Sequence, residues 1–247
     1  MNICLLKKEE AVLPLKLDDE RAVHLIKVLH KKVGDSFHAG IIGDRAGTAV
    51  ITKIDSGIHF TFTPESDGKP LYPLIMIIGF PRPIQLKRLL RDMAGLGVCQ
   101  IHLIGTELGE KSYLKSDLAT SQAGEQMLLD GTVQAAGTHI PILMRHEKLI
   151  TCLDFLEIQF REKKPLLMGF DNLRPSCSIS KFLSGCEHDT DSLYVAAIGS
   201  ERGWTDNERK CLESRGFTLL GMGCRVLRTE TAATVAASVI LSSMGVI

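Results

Sequence analysis

The chain lacks any long apolar run. The longest such run, at residues 74–80 of 247, is far below the roughly 20 residues needed to span a bilayer. Residues 1–6 are followed by Lys7 and Lys8, whereas a secretory signal places its basic residues before a longer apolar segment. We therefore expect a cytoplasmic protein that makes no contact with a membrane.

The chain also lacks a local metal-ligand pattern. Its seven cysteines are odd in number and scattered, without a Cys-x-x-Cys pair. Its eight histidines include no His-Glu-x-x-His arrangement. Scattered cysteines in a cytoplasmic protein usually serve as small buried apolar side chains. We therefore expect free thiols and no metal site.

Net charge is lacking as well, because 29 basic residues balance 29 acidic ones. A strongly basic nucleic-acid-binding domain is thus not indicated, although local clusters matter more than the sum. Each of two clusters is as consistent with a solvated face as with a nucleic-acid surface. The first contains Arg21, Lys27, His30, Lys31 and Lys32, and the second contains Arg82, Lys87, Arg88 and Arg91.

Residues 1–70 are expected to form one domain. A helical pattern at residues 18–29 precedes short strand-like runs, which are separated by glycine-containing turns. This pattern predicts a small β-barrel with one helix. A polar, breaker-rich segment at residues 65–70 is a plausible linker. The strand-like runs lie at residues 35–40, 48–54 and 58–62.

Residues 71–247 are expected to form a second domain, in which strands and helices alternate. The run at residues 71–80 is continuously apolar, as in a strand buried on both faces. Such alternation predicts an α/β fold with a mostly parallel sheet. Further strands are predicted near residues 99–105, 141–145, 165–170, 192–199 and 217–222.

Two glycine-punctuated turns lie near the C-terminus. One is Ile198-Gly199-Ser200-Glu201-Arg202-Gly203, and the other begins at Met222-Gly223. Each follows an apolar strand-like run and precedes a helix, so both are expected at the carboxyl edge of the sheet, where α/β proteins bind ligands. Thr205 and Glu208 form a predicted capping box for the first of these helices.

The second turn is rich in charge. Arg225, Arg228 and Glu230 lie within six residues of one another. Burial of these groups would be costly unless they served a charged ligand or each other. Small residues in the following helix, among them Ala232 and Ala236, predict a close helix contact, either internal or across a dimer.

The two turns together resemble the signature of a known family. Gly199-Ser200-Glu201-Arg202-Gly203-Trp204 looks like the Gly-Pro-Glu-Gly-Gly-Phe loop of the RsmE-type family, with substitutions at Ser200, Arg202 and Trp204. Gly223-x-Arg225-Val226-Leu227-Arg228-x-Glu230-Thr231-Ala232 is similar to that family's Gly-x-Arg-Ile-Leu-Arg-x-Glu-Thr-Ala. These proteins are SPOUT methyltransferases, which methylate N3 of a uridine in 16S ribosomal RNA.

The resemblance implies a SPOUT-type sheet with a C-terminal trefoil knot, a homodimer, and S-adenosyl-L-methionine as cofactor. Arg228 is expected to stabilise the uracil oxygens, Glu230 to orient that arginine or act as base, and Arg225 to bind phosphate or the cofactor carboxylate. An acid favoured by the helix dipole is an equally good interpretation of Glu230. The expected cofactor-binding residues are Met168, Gly169, Phe170, Ile198, Gly199, Ser200, Glu201, Gly203, Met222, Gly223, Val226 and Leu227.

The resemblance extends weakly into the first domain. The segment His24-x-x-x-Val28-Leu29-His30, followed by Gly34-Asp35, is similar to the family's His-x-x-x-Val-Leu-Arg and Gly-Asp, which belong to a PUA-like RNA-binding barrel. The partner that this implies is 16S ribosomal RNA in the small ribosomal subunit. The residues expected to bind RNA are His24, Lys27, His30, Lys31, Lys32, Arg82 and Lys111.

Three departures from the family pattern keep a second interpretation open. Gly95 stands where the family has a glutamate, and Gly137 and His30 stand where it has arginines. A SPOUT methyltransferase acting on a different RNA nucleotide is therefore an alternative. A non-catalytic RNA-binding assembly factor is another, although it would not need intact cofactor loops.

Two other nucleotide-binding classes are disfavoured. Residues 105–112 have the length of a Walker A loop, but Glu110 occupies the glycine position before Lys111, and its carboxylate would repel phosphates. A dinucleotide oxidoreductase would place Gly-x-Gly-x-x-Gly after the first strand of the sheet. Here that strand ends in Gly79-Phe80-Pro81-Arg82-Pro83.

Overall fold

The computed structural model describes residues 2–113, 121–186 and 192–247. The chain forms two compact units, Met1–Leu71 with Leu129–Ile140 and Tyr72–Leu128 with Pro141–Ile247. Residues 129–140 are predicted to belong to the second domain, but they pack in the first unit. Thr138 contributes to this packing, since its hydroxyl donates to the carbonyl of Asp44 over 2.8 Å and its carbonyl accepts from Gly43 N over 2.8 Å.

The first unit contains a five-stranded sheet in the order β1-β3-β4-β5-β2. The β1–β3 pair is parallel and the other pairs are antiparallel. Leu6, Leu25 and Ile58 lie in its apolar core. The strands are β1 Cys4–Leu6, β2 Leu15–Lys16, β3 Ser36–Ile41, β4 Ala46–Ile54 and β5 Gly57–Ser66.

The helical segment predicted at residues 18–29 is present in the first unit. It consists of helix α1, Glu20–Val23, which continues into a π-helical turn, His24–Val28. Asp19 starts the helix because its side chain accepts a hydrogen bond from Arg21 N. The predictions of β3, β4 and β5 are confirmed near their expected bounds, whereas β1 and β2 were not predicted because each is so short.

The second unit is an α/β fold built on a seven-stranded sheet in the order β10-β12-β9-β11-β6-β7-β8. All of its strand pairs are parallel, which confirms the prediction of a mostly parallel sheet. The strands are β6 Tyr72–Gly79, β7 Val98–Ile104, β8 Ile142–His146, β9 Leu166–Phe170, β10 Cys177–Ser178, β11 Tyr194–Ile198 and β12 Thr218–Gly221.

Helices α2, α4, α5, α6 and α7 pack on this sheet with buried apolar side chains. In α2, Pro83 occupies the first turn and Gly97, with φ 76°, ends the helix. Across the described ranges, no helix is long and apolar enough to cross a membrane. The helices are α2 Pro83–Leu96, α3 Ser121–Gln134, α4 Leu149–Gln159, α5 Ile179–Ser184, α6 Asp206–Ser214 and α7 Thr229–Ser243.

Candidate active site

The carboxyl ends of three neighbouring strands converge in the second unit. Ile198 at the end of β11 is in register with Phe170 at the end of β9, and Leu220 of β12 is in register with the same Phe170. The three loops that follow these strands are thereby brought side by side. The structure thus places both glycine-punctuated turns at one edge of the sheet.

The loop after β11 is held tightly closed. Gly203 N donates to the carbonyl of Ser200 over 2.8 Å, with Gly203 at φ 71°. A Cβ atom on Gly199 would lie 2.9 Å from the carbonyl carbon of Gly203, so a larger residue would not fit there without a shift. Trp204 is buried, and its indole N–H donates to the carbonyl of Phe170 over 3.0 Å. The loops after β9 and β11 are thus joined.

The predicted capping box at the start of α6 is present. The Thr205 hydroxyl accepts from Glu208 N over 3.1 Å, and the Glu208 carboxylate accepts from Thr205 N over 2.9 Å. The Thr205 hydroxyl also donates to the Glu107 carboxylate over 2.6 Å. Glu107 N donates to Glu208 over 2.9 Å. The turn after β7 is therefore anchored to the start of α6, a link that sequence reasoning missed.

The loop after β12 leads into α7. Gly223 has φ 103°, a left-handed conformation that favours glycine. The Thr229 hydroxyl donates to the carbonyl of Gly199 over 3.4 Å and so connects the two turns. Arg225 and Arg228 are exposed, while Glu230 is half-buried. The two arginines therefore avoid the cost of burial that their sequence context suggests, because their long side chains reach solvent.

A buried ion pair supports the loop after β9. Arg209 of α6 donates to both carboxylate oxygens of Asp171 over 3.0 Å, and both side chains are almost fully buried. Burial alone would raise the pKa of Asp171, but the hydrogen bonds from Arg209 outweigh it and hold that pKa below its ordinary value. Sequence reasoning missed this pair because its members lie on separate elements.

The three loops enclose a cavity of about 250 Å³. Ser200 lies in its wall, with a hydroxyl oxygen that is buried and has no hydrogen-bond partner among the described residues. The expected cofactor-binding residues that line this cavity are Phe170, Ile198, Gly199, Ser200, Glu201, Gly203, Met222, Val226 and Leu227. Lining residues that were not predicted are Asp171, Asn172, Leu173, Arg202, Arg209, Thr229 and Ala232.

Three of the expected cofactor-binding residues do not line the cavity. Met168 is fully buried inside β9. Gly169 is also inside that strand, where a Cβ atom would lie 2.9 Å from the Leu219 side chain. Gly223 shapes the turn rather than the cavity wall.

A second cavity, of about 310 Å³, adjoins the first. The two share Glu201, Val226 and Leu227 in their walls. At the edge of the second cavity, Arg82 pairs with Glu201 over 3.3 Å. Its lining residues are Arg82, Gln85, Glu201, Val226, Leu227, Arg228 and Glu230. The structure thus brings Arg228 and Glu230 to one cavity, whereas Arg225 lines neither.

The expected RNA-binding residues of the first unit lie on or after α1. Lys27, His30 and Lys32 are exposed, and Lys31 is half-buried beside a cavity of about 480 Å³. His24 is half-buried, and burial lowers its pKa. His30 has φ 52°, an uncommon conformation for a residue with a side chain.

The turn that resembles a Walker A loop is organised by its own carboxylate. The Ser112 hydroxyl donates to Glu110 over 3.1 Å, and Lys111 is exposed in the second unit. The Ser112 hydroxyl, which such a loop would offer to a metal ion, is therefore already hydrogen-bonded to Glu110.

More than half of the chain matches a known family model. An RNA methyltransferase domain is matched at residues 68–241. The chain is 41% identical to the ribosomal RNA small subunit methyltransferase E of Treponema pallidum (strain Nichols), over 98% of this chain and 91% of that protein. It is 32% identical to ribosomal RNA small subunit methyltransferase E 1 of Borreliella burgdorferi (strain ATCC 35210 / DSM 4680 / CIP 102532 / B31), over 98% of each.

A solved structure shares the fold along the whole chain. It is a ribosomal RNA small subunit methyltransferase E from Neisseria gonorrhoeae bound to S-adenosyl methionine, with a TM-score of 0.71 and 21% identity. The match covers 98% of this chain and 97% of that one. The family model and the two relatives show that this chain belongs to the ribosomal RNA small subunit methyltransferase E family.

Proposed function

We propose that this protein transfers the methyl group of S-adenosyl-L-methionine to N3 of a uridine in 16S ribosomal RNA. The observation that carries this proposal is the pair of adjoining cavities with a shared wall at Glu201, Val226 and Leu227. A group-transfer enzyme must hold donor and acceptor side by side, because alignment of the reacting atoms supplies much of the lowering of the barrier. The first cavity is assigned to the cofactor and the second to the target base.

The first cavity fits such a cofactor. The unpartnered hydroxyl of Ser200 offers a buried hydrogen-bonding group. The closed turn from Gly199 to Gly203 lets backbone approach a ligand closely. When bound, the cofactor supplies an electrophilic methyl group on a positively charged sulfur.

The second cavity holds charges suited to the acceptor. As N3 loses its proton, negative charge develops on the uracil oxygens, and the planar guanidinium of Arg228 is well suited to stabilise it. Of the two carboxylates that line this cavity, Glu201 pairs with Arg82 over 3.3 Å. Glu230 makes no ion pair within the described ranges and is assigned as the acceptor of the N3 proton.

RNA contacts are assigned to the exposed cations. The five-stranded sheet of the first unit would be the PUA-like barrel, with Lys27, His30 and Lys32 contacting phosphates. Arg82 and Lys111 would add contacts from the second unit. The target base must be unpaired or extruded to reach Arg228, because N3 is occupied in a base pair.

The proposed knot has support in the strand order. Strand β11 lies between β9 and β6, and β12 lies between β10 and β9. Both strands therefore occupy interior positions between strands that precede them in the chain. Such late insertion is what threading of the C-terminal segment requires.

A homodimer is part of the proposal. The small residues of α7 do not support it, because Ala233, Ala236 and Ala237 are fully buried within the second unit. Val226 does support it, since its side chain is 82% exposed while lining both cavities. A second copy that covered Val226 would remove this apolar side chain from water and close the site.

The test is transfer of a labelled methyl group to small ribosomal subunits that lack the family's modification, followed by nucleoside analysis. We expect 3-methyluridine. A different methylated nucleoside would favour the alternative target suggested by Gly95 and Gly137, which replace charged residues of the family pattern. Cofactor binding without transfer to any RNA would contradict the proposed activity and favour an assembly factor.

A further inference from the structure

Three potential metal ligands meet away from both cavities. His102 lies in β7, His146 ends β8, and Cys152 lies in α4. One ligand atom from each lies within 4.8 Å of the ligand atoms of the other two. His102 Nδ1 and His146 Nε2 are 2.9 Å apart. Neither cavity is lined by any of these residues, so the cluster is separate from the proposed active site.

A second contact orients the central histidine. His102 Nε2 lies 3.1 Å from Gln100 Oε1, which as an amide oxygen only accepts hydrogen bonds. The proton of the neutral ring is therefore on Nε2, and the lone pair of Nδ1 points to the cluster. Metal-binding histidines commonly donate their second ring N–H to an oxygen in this way.

Both imidazoles lie beside an aromatic ring. The two imidazole rings are stacked with centroids 5.1 Å apart, and the centroid of the Phe155 ring lies 5.8 Å and 5.7 Å from them. His102 is fully buried and His146 is half-buried, so His146 provides a route to solvent.

We propose that His102 Nδ1, His146 Nε2 and Cys152 Sγ bind a Zn²⁺ ion. Imidazole and thiolate are the ligands that Zn²⁺ prefers, and three protein ligands leave a fourth tetrahedral position for water. The cluster offers no carboxylate, which disfavours Mg²⁺ and Ca²⁺. On binding, the Cys152 thiol releases its proton to solvent and the sulfur donates a lone pair to the ion. The proton through which His146 Nε2 hydrogen-bonds to His102 Nδ1 is exchanged through solvent for one on His146 Nδ1, so that both ring nitrogens of the cluster also donate lone pairs to the ion.

Sequence patterns did not indicate this site. The prediction of no metal site rests on local spacing, and 44 residues separate His102 from His146. Parallel pairing of β7 with β8 brings the two histidines together in space, since His146 is in register with Ile104, two residues beyond His102. The bound ion would tie two strands to α4.

The experiment uses the full chain, stripped with a chelator and titrated with ZnCl₂ in a calorimeter. We expect one equivalent to bind and to raise the melting temperature, because the ion binds only the folded state. Substitution with Co²⁺ should produce the near-ultraviolet absorption of a thiolate-to-cobalt bond. Failure of the wild-type chain to bind Zn²⁺ would overturn the proposal.

Variants assign the ligands. Removal of a residue that only orients a metal ligand typically weakens metal binding by roughly 10- to 100-fold, and Q100A should fall within that range. C152A and H146Q remove ligands themselves and should weaken Zn²⁺ binding by more than this. The matched controls are C177A, in a strand at the opposite edge of the sheet, and H38Q, in the first unit. Binding that survived both C152A and H146Q would place the ion elsewhere and overturn the assignment.

Discussion

At the scale of single residues, the first cavity is lined by a side chain whose buried hydroxyl makes no hydrogen bond among the described residues. The buried hydroxyl oxygen of Ser200 has no partner among the residues described, although buried hydroxyls usually make hydrogen bonds. Its position in the cavity assigned to the cofactor supplies a reason, because a ligand can provide the missing partner. The unpaired hydroxyl of Ser200 in the free chain thus indicates a ligand-binding position.

The change S200A tests this interpretation. We expect cofactor affinity to fall by about 0.5–1.5 kcal/mol, or roughly 2- to 10-fold, because one hydrogen bond to the ligand is removed. The melting temperature of the free chain should not fall, since the hydroxyl makes no bond there. Calorimetric titration and thermal unfolding measure the two quantities. A large loss of stability without any change in affinity would refute the assignment.

Arg228 is the second test at this scale. Arg228 is exposed and lines the second cavity, which is assigned to the target base. R228A should therefore leave folding and cofactor affinity unchanged, while it lowers turnover by about 10²–10³-fold. The matched control is R225A, which removes an exposed arginine that lines neither cavity. Single-turnover kinetics on small subunits measure the effect. Equal losses in the two variants would contradict the distinction made between them.

At the scale of elements, the cavity assigned to the cofactor depends on bonds between loops as well as within them. The indole of Trp204 joins the β11 loop to the end of β9, and the hydroxyl of Thr229 joins α7 to Gly199. The ion pair of Asp171 with Arg209 fixes the β9 loop on α6. The cavity is therefore preorganised, which reduces the ordering cost of ligand binding.

The ion pair makes a prediction at this scale. R209A should destabilise the chain by about 3–5 kcal/mol, because it leaves the Asp171 carboxylate buried without its partner. R209K should restore only part of this, since an ammonium group cannot donate to both oxygens as the guanidinium does. Urea denaturation measures the stability, and cofactor affinity should fall with it. An unchanged free energy of unfolding would refute the role assigned to the pair.

The same pair predicts a dependence on pH. Because the folded-state pKa of Asp171 lies below its unfolded value, its contribution is present above the unfolded pKa and disappears as pH falls through the folded pKa. In R209A the burial that raises this pKa is no longer opposed, so the stability difference from wild type should shrink as the medium becomes acidic. Urea denaturation across an acidic pH series measures it. A difference that grew toward low pH would have the wrong sign.

At the scale of the whole molecule, zero net charge makes RNA binding depend on where the cations lie. Lys27 and Lys32 are exposed in the first unit. For K27A and K32A, the dependence of log affinity on log salt should decrease by roughly 0.7–0.9 for each phosphate that the protein no longer neutralises. K210A, which removes an exposed lysine of α6, is the control matched in charge. Filter binding across a salt series measures the slopes. Identical slopes in all three variants would contradict an RNA surface on the first unit.

Local patterns by themselves determined most of the elements and one part of the site. The apolar run of β6, the capping box of Thr205 and Glu208, and the glycines at the ends of β11 and β12 each act through residues close in sequence. Such signals need no knowledge of the rest of the fold. They sufficed to predict the parallel sheet and both turns that line the first cavity.

Only the tertiary structure decided which distant residues meet. In the tertiary structure, residues 129–140 pack in the first unit, and Asp171 pairs with Arg209, which is 38 positions away in the sequence. It also exposed Arg225 outside both cavities and joined His102 to His146. The physical reason is that parallel strands bring together residues separated by a whole crossover, and the spacing of residues along the chain carries no record of that register.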